Sequence, residues 1–230
     1  MTSYLLLAGS VYSPEVAGAQ ALVIENEAIV WVGDRGGAKA YELDVDHLID
    51  LQDAFIAPGF VDAHVHLSAT GMYENRGNVS SATSFRQLAD ELNGLHATVE
   101  MTIAHGWDDT NFPDTFQDFC EQLQTSCDVY VTRIDGHSAI VQSSQLGFST
   151  PAIITAGEHE AVRRKMLDQI PTKQRQEFIE DALLRAASLG IVAVHENGGP
   201  TVSSEADFSD VMALSDLPHL PLVIGYWGDR

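Results

Sequence analysis

The sequence predicts an α/β protein, with a strand-only opening segment over residues 1–54 and strands alternating with helices over residues 55–230. Three observations predict it. Short apolar runs broken by Gly, Asn and Asp crowd the first fifty residues. Apolar residues then recur at helical spacing in two stretches. Brief β-branched runs lie between those stretches.

The opening segment has three clear strands. Tyr4-Leu5-Leu6-Leu7-Ala8 stops at Gly9-Ser10, and Gln20-Ala21-Leu22-Val23-Ile24 stops at Glu25-Asn26-Glu27. Ala28-Ile29-Val30-Trp31-Val32 ends at Gly33-Asp34. Such runs, punctuated by turn residues, fit a small sheet or sandwich. Phe55 to Leu67 reads as a strand. Ser84 to Leu95 reads as a helix capped by Ser84, with Phe85, Leu88, Ala89, Leu92 and Leu95 on one side. Met101 to Trp107 and Val129 to Val131 read as strands, with a short helix over Asp114 to Leu123 between them. Thr172 to Leu189 is a long helix that buries Phe178, Ile179, Ala182, Leu183, Ala186 and Leu189, closed by Gly190. Ile191 to His195 and Leu222 to Tyr226 are further strands. Alternation of this kind implies a parallel sheet, either barrel or doubly wound. The roughly 175 residues after residue 54 fall short of the ~200 of a closed eight-stranded barrel.

Composition bounds the function. Hydrophobic residues are 45% and charged residues 20% of the chain, as in an ordinary globular protein. A net charge of −21 would repel phosphate, which excludes a nucleic-acid partner and an anionic membrane surface. Cys120 and Cys127 fit neither a redox pair nor a zinc ribbon and read as two reduced thiols. No apolar run approaches the ~20 residues of a spanning helix, and the N-terminus lacks a basic-then-apolar leader. A cytoplasmic location is expected.

Asp62, His64 and His66 alternate, so on a strand they share one face while Ala63, Val65 and Leu67 face the helices. Two neighbouring neutral imidazoles suit a divalent ion, although a bare H-x-H also arises from structural histidines. The surroundings add to it. Ala57-Pro58-Gly59-Phe60-Val61-Asp62-Ala63-His64-Val65-His66-Leu67 resembles the P-G-[FL]-[IV]-D-x-H-x-H signature of the amidohydrolase superfamily. Gly106-Trp107-Asp108, Asp135-Gly136-His137-Ser138-Ala139, Gly157 with Glu160-Ala161, and Gly190-Ile191-Val192-Ala193-Val194-His195 follow in the order of its family 3 branch, which includes enzymes similar to N-substituted formamide deformylase. The Ala21–Asp34 stretch resembles that branch's N-terminal sandwich hairpin.

The resemblance implies an N-terminal β-sandwich segment (1–54), then an incomplete metal-dependent-hydrolase (β/α) barrel of about five strands (55–230). It implies hydrolysis of carbon–nitrogen, non-peptide, amide-type bonds with a divalent metal, zinc being the expected ion. His64 and His66 are the implied metal ligands. The family's carboxylated Lys, two later His and an Asp are expected from strands beyond the equivalent of Tyr226. The family's general-base Asp is among these, so the resemblance implies no catalytic residue before Tyr226. Weak metal binding and a chain inactive alone are expected, with a second-half chain or another copy as partner beside a small amide-type substrate.

Trp107, His137 and His195 are candidate substrate-binding residues. Each has an ordinary alternative: core aromatic for Trp107, loop anchor for His137, and structural partner of Glu196 or Asn197 for His195. His105 alternates with Trp107 and its role is open. His47, His96, His159 and His219 stand in polar or turn-like contexts and are expected at the surface. Two other functional readings stand beside the first. One is a non-catalytic binding or structural remnant; the other is a reduced metal site rebuilt from His64, His66, His137 and His195.

Overall fold

The computed structural model describes residues 2–95, 101–125, 127–200, 202–215 and 217–228, so His96 lies outside the described residues. The chain divides into two compact units, Met1–Gly59 and Phe60–Arg230.

The first unit is built from β1 (Ser3–Leu7), β2 (Ser10–Val11), β3 (Ala21–Glu25), β4 (Ala28–Gly33), a one-turn helix α1 (Arg35–Ala38), β5 (His47–Asp50) and β6 (Phe55–Ile56). Its larger sheet has the order β4-β3-β1-β5; β1 runs antiparallel to β3 and parallel to β5. The β3–β4 turn is Asn26-Glu27, and both residues have positive φ, 49° and 68°. That left-handed pair matches the twist of the flanking strands, as two-residue hairpin turns require. Alternation sends Leu5, Leu7, Ala21 and Val23 to one apolar cluster and Ala8 and Leu22 to a second on the opposite face. β2 and β6 pair as a separate parallel ribbon. That pairing moves the boundary expected at 54/55. Phe55–Ile56 belongs with Ser10–Val11, and Pro58-Gly59 interrupts what reads in sequence as one strand.

The second unit begins with β7 (Phe60–Val65), α2 (Leu67–Asn75), β8 (Gly77–Asn78) and α3 (Phe85–Gly94). It continues through β9 (Met101–Trp107), α4 (Phe116–Gln122), β10 (Asp128–Arg133), β11 (Ser138–Ser143), β12 (Phe148–Thr155) and α5 (Ala156–Gln169). It ends with α6 (Thr172–Ser188), β13 (Ile191–Gly198), α7 (Glu205–Ala213) and β14 (Leu222–Trp227). The α3 helix starts as expected, with the Ser84 hydroxyl accepting the Gln87 N–H at 3.1 Å. At α4 the Thr115 N–H and hydroxyl both donate to the Asp118 carboxylate, at 2.9 and 2.7 Å.

The strands of this unit do not form one sheet of about five, which corrects the sequence expectation. β7, β13 and β14 make a three-stranded parallel sheet in the order β14-β13-β7. β8 to β12 make a five-stranded sheet of their own. There β8, β9 and β10 run parallel, and β10, β11 and β12 meander antiparallel. The Asp135-Gly136 turn, with φ +71° at Gly136, reverses the chain after β10 and turns the family-like D-G-H-S-A element into a hairpin corner. Between β7 and β13 in sequence lies the whole second sheet.

The parallel sheet packs one face on α6 and α7 through Ile179, Leu183, Val194, Val211 and Val223, with Leu67 of α2 in the same cluster. The two helices are also tied by a buried ion pair: the Arg175 guanidinium donates to Asp210 at 2.7 and 2.8 Å and to the Ile170 carbonyl at 2.6 Å. Among the described residues, no helix is long and apolar enough to cross a membrane.

Candidate metal centre

The sheet β14-β13-β7 is parallel, so its three strands end together, and side chains at their carboxyl ends converge. Register fixes which ones. Val194 pairs with Asp62 and Glu196 with Val65, so the single His195 stands opposite both Ala63 and His64. This is a β-bulge, and it breaks the strict Asp62/His64/His66 alternation expected from sequence. The Asp62 carboxylate accepts the His64 N–H at 3.1 Å, an Asx-type bond that suits the local kink. The strand then stops at Val65, and His66 is the N-cap of α2 rather than a strand residue. The two imidazoles still come together. Their ring centroids are 5.2 Å apart at 81°.

His66 caps α2 without a side-chain hydrogen bond to the helix. Glu196 supplies one from across the sheet: its carboxylate accepts the Leu67 N–H at 2.7 Å. A carboxylate at a helix N-terminus also meets the positive end of the helix dipole. The other oxygen of Glu196 is 3.8 Å from His66 Nδ1, beyond hydrogen-bond length. His66 Nδ1 is buried without a hydrogen-bond partner. Asp207, near the start of α7, is buried in the same neighbourhood, and burial raises its pKa above the usual carboxylate range.

The residues present fit one corner of a metal site. Two imidazoles bound through nitrogen to one tetrahedral ion have ring centroids about 5 Å apart, which the His64–His66 pair matches. Among the described residues, however, no three His, Cys, Asp or Glu side chains gather as a metal-holding group. The reduced site drawn from His64, His66, His137 and His195 therefore does not assemble. His137 lies at the β10–β11 corner, its ring exposed and its N–H donating to Asp135 at 2.9 Å.

The other candidates divide. His195 is half-buried on the open face of the parallel sheet and stacks on Tyr226, centroids 5.4 Å apart. Trp107 is 1% exposed, packs in the core beside Phe85, and donates its indole N–H to the Val131 carbonyl at 3.2 Å. A side chain so enclosed cannot line a pocket, which corrects that expectation. Asp108 and Asp135, from the two family-like elements, both bind Arg133, at 2.7 and 2.6 Å, with Asp109 at 3.0 Å. Those elements are held to each other by one guanidinium.

His47 and His219 are exposed as expected, but His159 is buried, its Nε2 2.8 Å from the Tyr130 hydroxyl. His105 is half-buried, 2.8 Å from Thr132 Oγ1 and stacked on Tyr73. Glu196 and Asp207 were missed by sequence reasoning. Only the position of Glu196, beside His195 at a strand end, could have drawn attention to it.

Comparison with known proteins agrees with this architecture. Two crystal structures of metal-dependent hydrolases, from Pyrococcus furiosus and Pyrococcus horikoshii OT3, superpose with TM-scores of 0.70 and 0.73 at 24% and 20% identity. Each covers 98% of this chain, and the chain covers 50% and 48% of theirs. The chain thus shares the mixed α/β fold of those two structures. The chain belongs to the amidohydrolase family, whose model matches residues 47–225. It is similar to the exoenzymes regulatory protein AepA of Pectobacterium carotovorum subsp. carotovorum, 32% identical over 87 residues, which are 38% of this chain and 18% of that one. It is also similar to imidazolonepropionase of Pseudomonas putida, 31% identical over 93 residues, 39% of this chain and 22% of that enzyme. The chain thus spans about half the length of the solved relatives, and the curated matches cover about a fifth of theirs.

Proposed function

We propose that this chain carries the first-strand portion of a metal-dependent hydrolase site for carbon–nitrogen, non-peptide, amide-type bonds. The observation that carries the proposal is the His64–His66 pair at the carboxyl end of a parallel strand, with centroids 5.2 Å apart, in a chain of the amidohydrolase family. A divalent ion, zinc by preference, would be held there by His64 and His66. When bound, such an ion lowers the pKa of a water and polarises a carbonyl. The chain's own residues orient the pair: Asp62 holds the His64 backbone, and Glu196 holds the helix start beneath His66. His195, whose ring stacks on Tyr226 on the open face, is proposed to meet the substrate.

Two ligands leave a catalytic zinc at least one protein ligand short. Binding by this pair alone is therefore weak, and the remaining ligands are proposed to come from a second-half segment or another copy. The unpaired Cys120 and Cys127 support a reducing, cytoplasmic setting. A second reading, a non-catalytic binding or structural remnant, draws on the lack of a third ligand among the described residues.

The test is metal content after dialysis against chelator and readdition of zinc. The wild type is expected to hold sub-stoichiometric zinc, and the His64→Ala/His66→Ala variant none. Equal metal in both would remove the pair as the site. Stoichiometric, chelator-resistant zinc in the wild type would instead mean that the site is complete without a partner.

A further inference from the structure

The side chains at the amino ends of β9 and β10 open onto a cavity of about 480 Å³, within the size range of small-molecule sites. Register sets Met101 beside Asp128 and Ile103 beside Tyr130, so by strand alternation Met101, Ile103 and Asp128 share one face. Met166 of α5 and Ile170 at the end of that helix cover the face, and all four apolar residues are buried. The family-like elements at Trp107 and Asp135 lie at the other, carboxyl ends of the same strands. Two features of the wall are unmatched. Among the described residues, Asp128 is the one charged group that lines the cavity, and no Lys, Arg or His does. Its half-buried carboxylate accepts the Ser143 hydroxyl and keeps further acceptor capacity. Gln174, in the first turn of α6, also lines the cavity, and its Oε1 is buried without a hydrogen-bond partner.

We propose that this cavity binds a small primary amine, its apolar body against Met101, Ile103, Met166 and Ile170 and its ammonium against Asp128. An ammonium carries three donors and no acceptor, which suits a wall where the Asp128 carboxylate and the Gln174 oxygen both accept. Its bond to Asp128 is charge-assisted, and such bonds are about twice as strong as neutral ones. An anion would meet the Asp128 charge with no cation beside it, and the net charge of −21 would repel its approach. A wholly apolar ligand would seal the carboxylate from water unpaired, which is costly. A neutral alcohol fits the same walls and forgoes the charge-assisted bond. The two methionines suit an apolar body of variable shape, because an unbranched thioether adapts to what it packs against.

The test is ¹³C NMR of the full chain, labelled at its methionine methyl groups and titrated with phenethylamine. Met101 and Met166 line the cavity and Met212 of α7 does not, so the label reports where the amine sits. The two methyls are assigned by Met101→Leu and Met166→Leu. Saturable shifts at Met101 and Met166, with Met212 unmoved, are expected. Phenethyl alcohol, of the same shape without the charge, is expected to bind about tenfold more weakly. Phenylacetate is expected to leave both methyls in place. In Asp128→Asn, which still accepts the Ser143 hydroxyl, amine and alcohol are expected to bind alike. Unmoved Met101 and Met166 methyls under amine, equal wild-type affinity for amine and alcohol, or an undiminished preference for amine in Asp128→Asn would each overturn the proposal. The first two comparisons need no variant, so they decide the matter even where Asp128→Asn does not fold. No metal is added, and these outcomes stand apart from the metal-content test of His64 and His66.

Discussion

Glu196 joins two segments that are 129 residues apart in sequence, since its carboxylate caps α2 from the end of β13. Removing it leaves the Leu67 N–H buried and unpaired. Glu196→Ala is therefore expected to lower unfolding stability by about 1–3 kcal/mol in urea titration, whereas Glu196→Gln, which can still accept, stays nearer wild type. A stability of Glu196→Ala within error of wild type would show that water replaces the cap.

His159 gives a second prediction. Burial holds its pKa down, from the ordinary 6.5 to about 4, beside the Tyr130 hydroxyl. The unfolded chain then binds more protons than the folded one between pH 4 and 6.5. Stability from this group is complete above that window and is lost as pH falls through it, by at most about 3 kcal/mol. His159→Gln keeps a partner for Tyr130 and cannot titrate there. Its unfolding free energy is expected to fall less steeply across the same window, and a slope equal to wild type would count against this assignment.

These residues also show what sequence could carry. His64 and His66 stand in a run of matching neighbours, so their pairing was legible. Glu196 and Asp207 were not, because nothing in an isolated Glu or Asp tells whether it will be buried. His159 sits among Glu158, Glu160, Arg163 and Arg164 and reads as surface, yet tertiary packing turns it inward.

At the scale of elements, the crossing of α2 and α6 decides where His66 sits. Gly71 lies at the closest approach: a Cβ there would come within 1.8 Å of the Phe178 carbonyl oxygen. On an isolated helix, Gly→Ala would gain about 1 kcal/mol. Here the clash wins, because forcing bulk into a packed contact costs about 1–3 kcal/mol and the blocking atom is backbone. Gly71→Ala is expected to lower the urea midpoint without changing the slope. It should also weaken metal uptake, since α2 begins at His66. Neutral or improved stability would mean that the helices separate without cost.

The α3 and α6 helices were legible from apolar spacing and capping. The sheets were not. Local pattern marks a strand without saying which strand it joins, and nothing local tells that β7 skips over β8 to β12 to pair with β13. The hairpin corner at Asp135-Gly136 did carry a turn signal, but its family-like motif drew the reading towards substrate instead.

At the scale of the whole molecule, charge and exposed apolar surface oppose each other. One face of the parallel sheet lies against α6 and α7. The opposite face carries Val61, Ala193 and Leu222 in one cross-strand row, with Ile224 and Tyr226 further along. Val61, Leu222 and Tyr226 are 56%, 56% and 49% exposed. Both outer strands, β7 and β14, also have a free edge among the described strands. Apolar sheet surface with open edges favours pairing with another chain. The net charge of −21 resists it. That repulsion acts over a Debye length of about 8 Å at physiological ionic strength and about 3 Å at 1 M, whereas apolar contact is little screened. The isolated chain is therefore expected to self-associate in sedimentation velocity, more strongly as salt is raised from low to high. Val61→Glu/Leu222→Glu, which places charge in the centre of the row, is expected to shift it towards the 25.0 kDa monomer. Association that weakens with salt would point to charged contacts elsewhere. A wild type that is monomeric and melts cooperatively at all salt concentrations would show that this face needs no cover, leaving the shortage of metal ligands among the described residues as the argument for a completing partner.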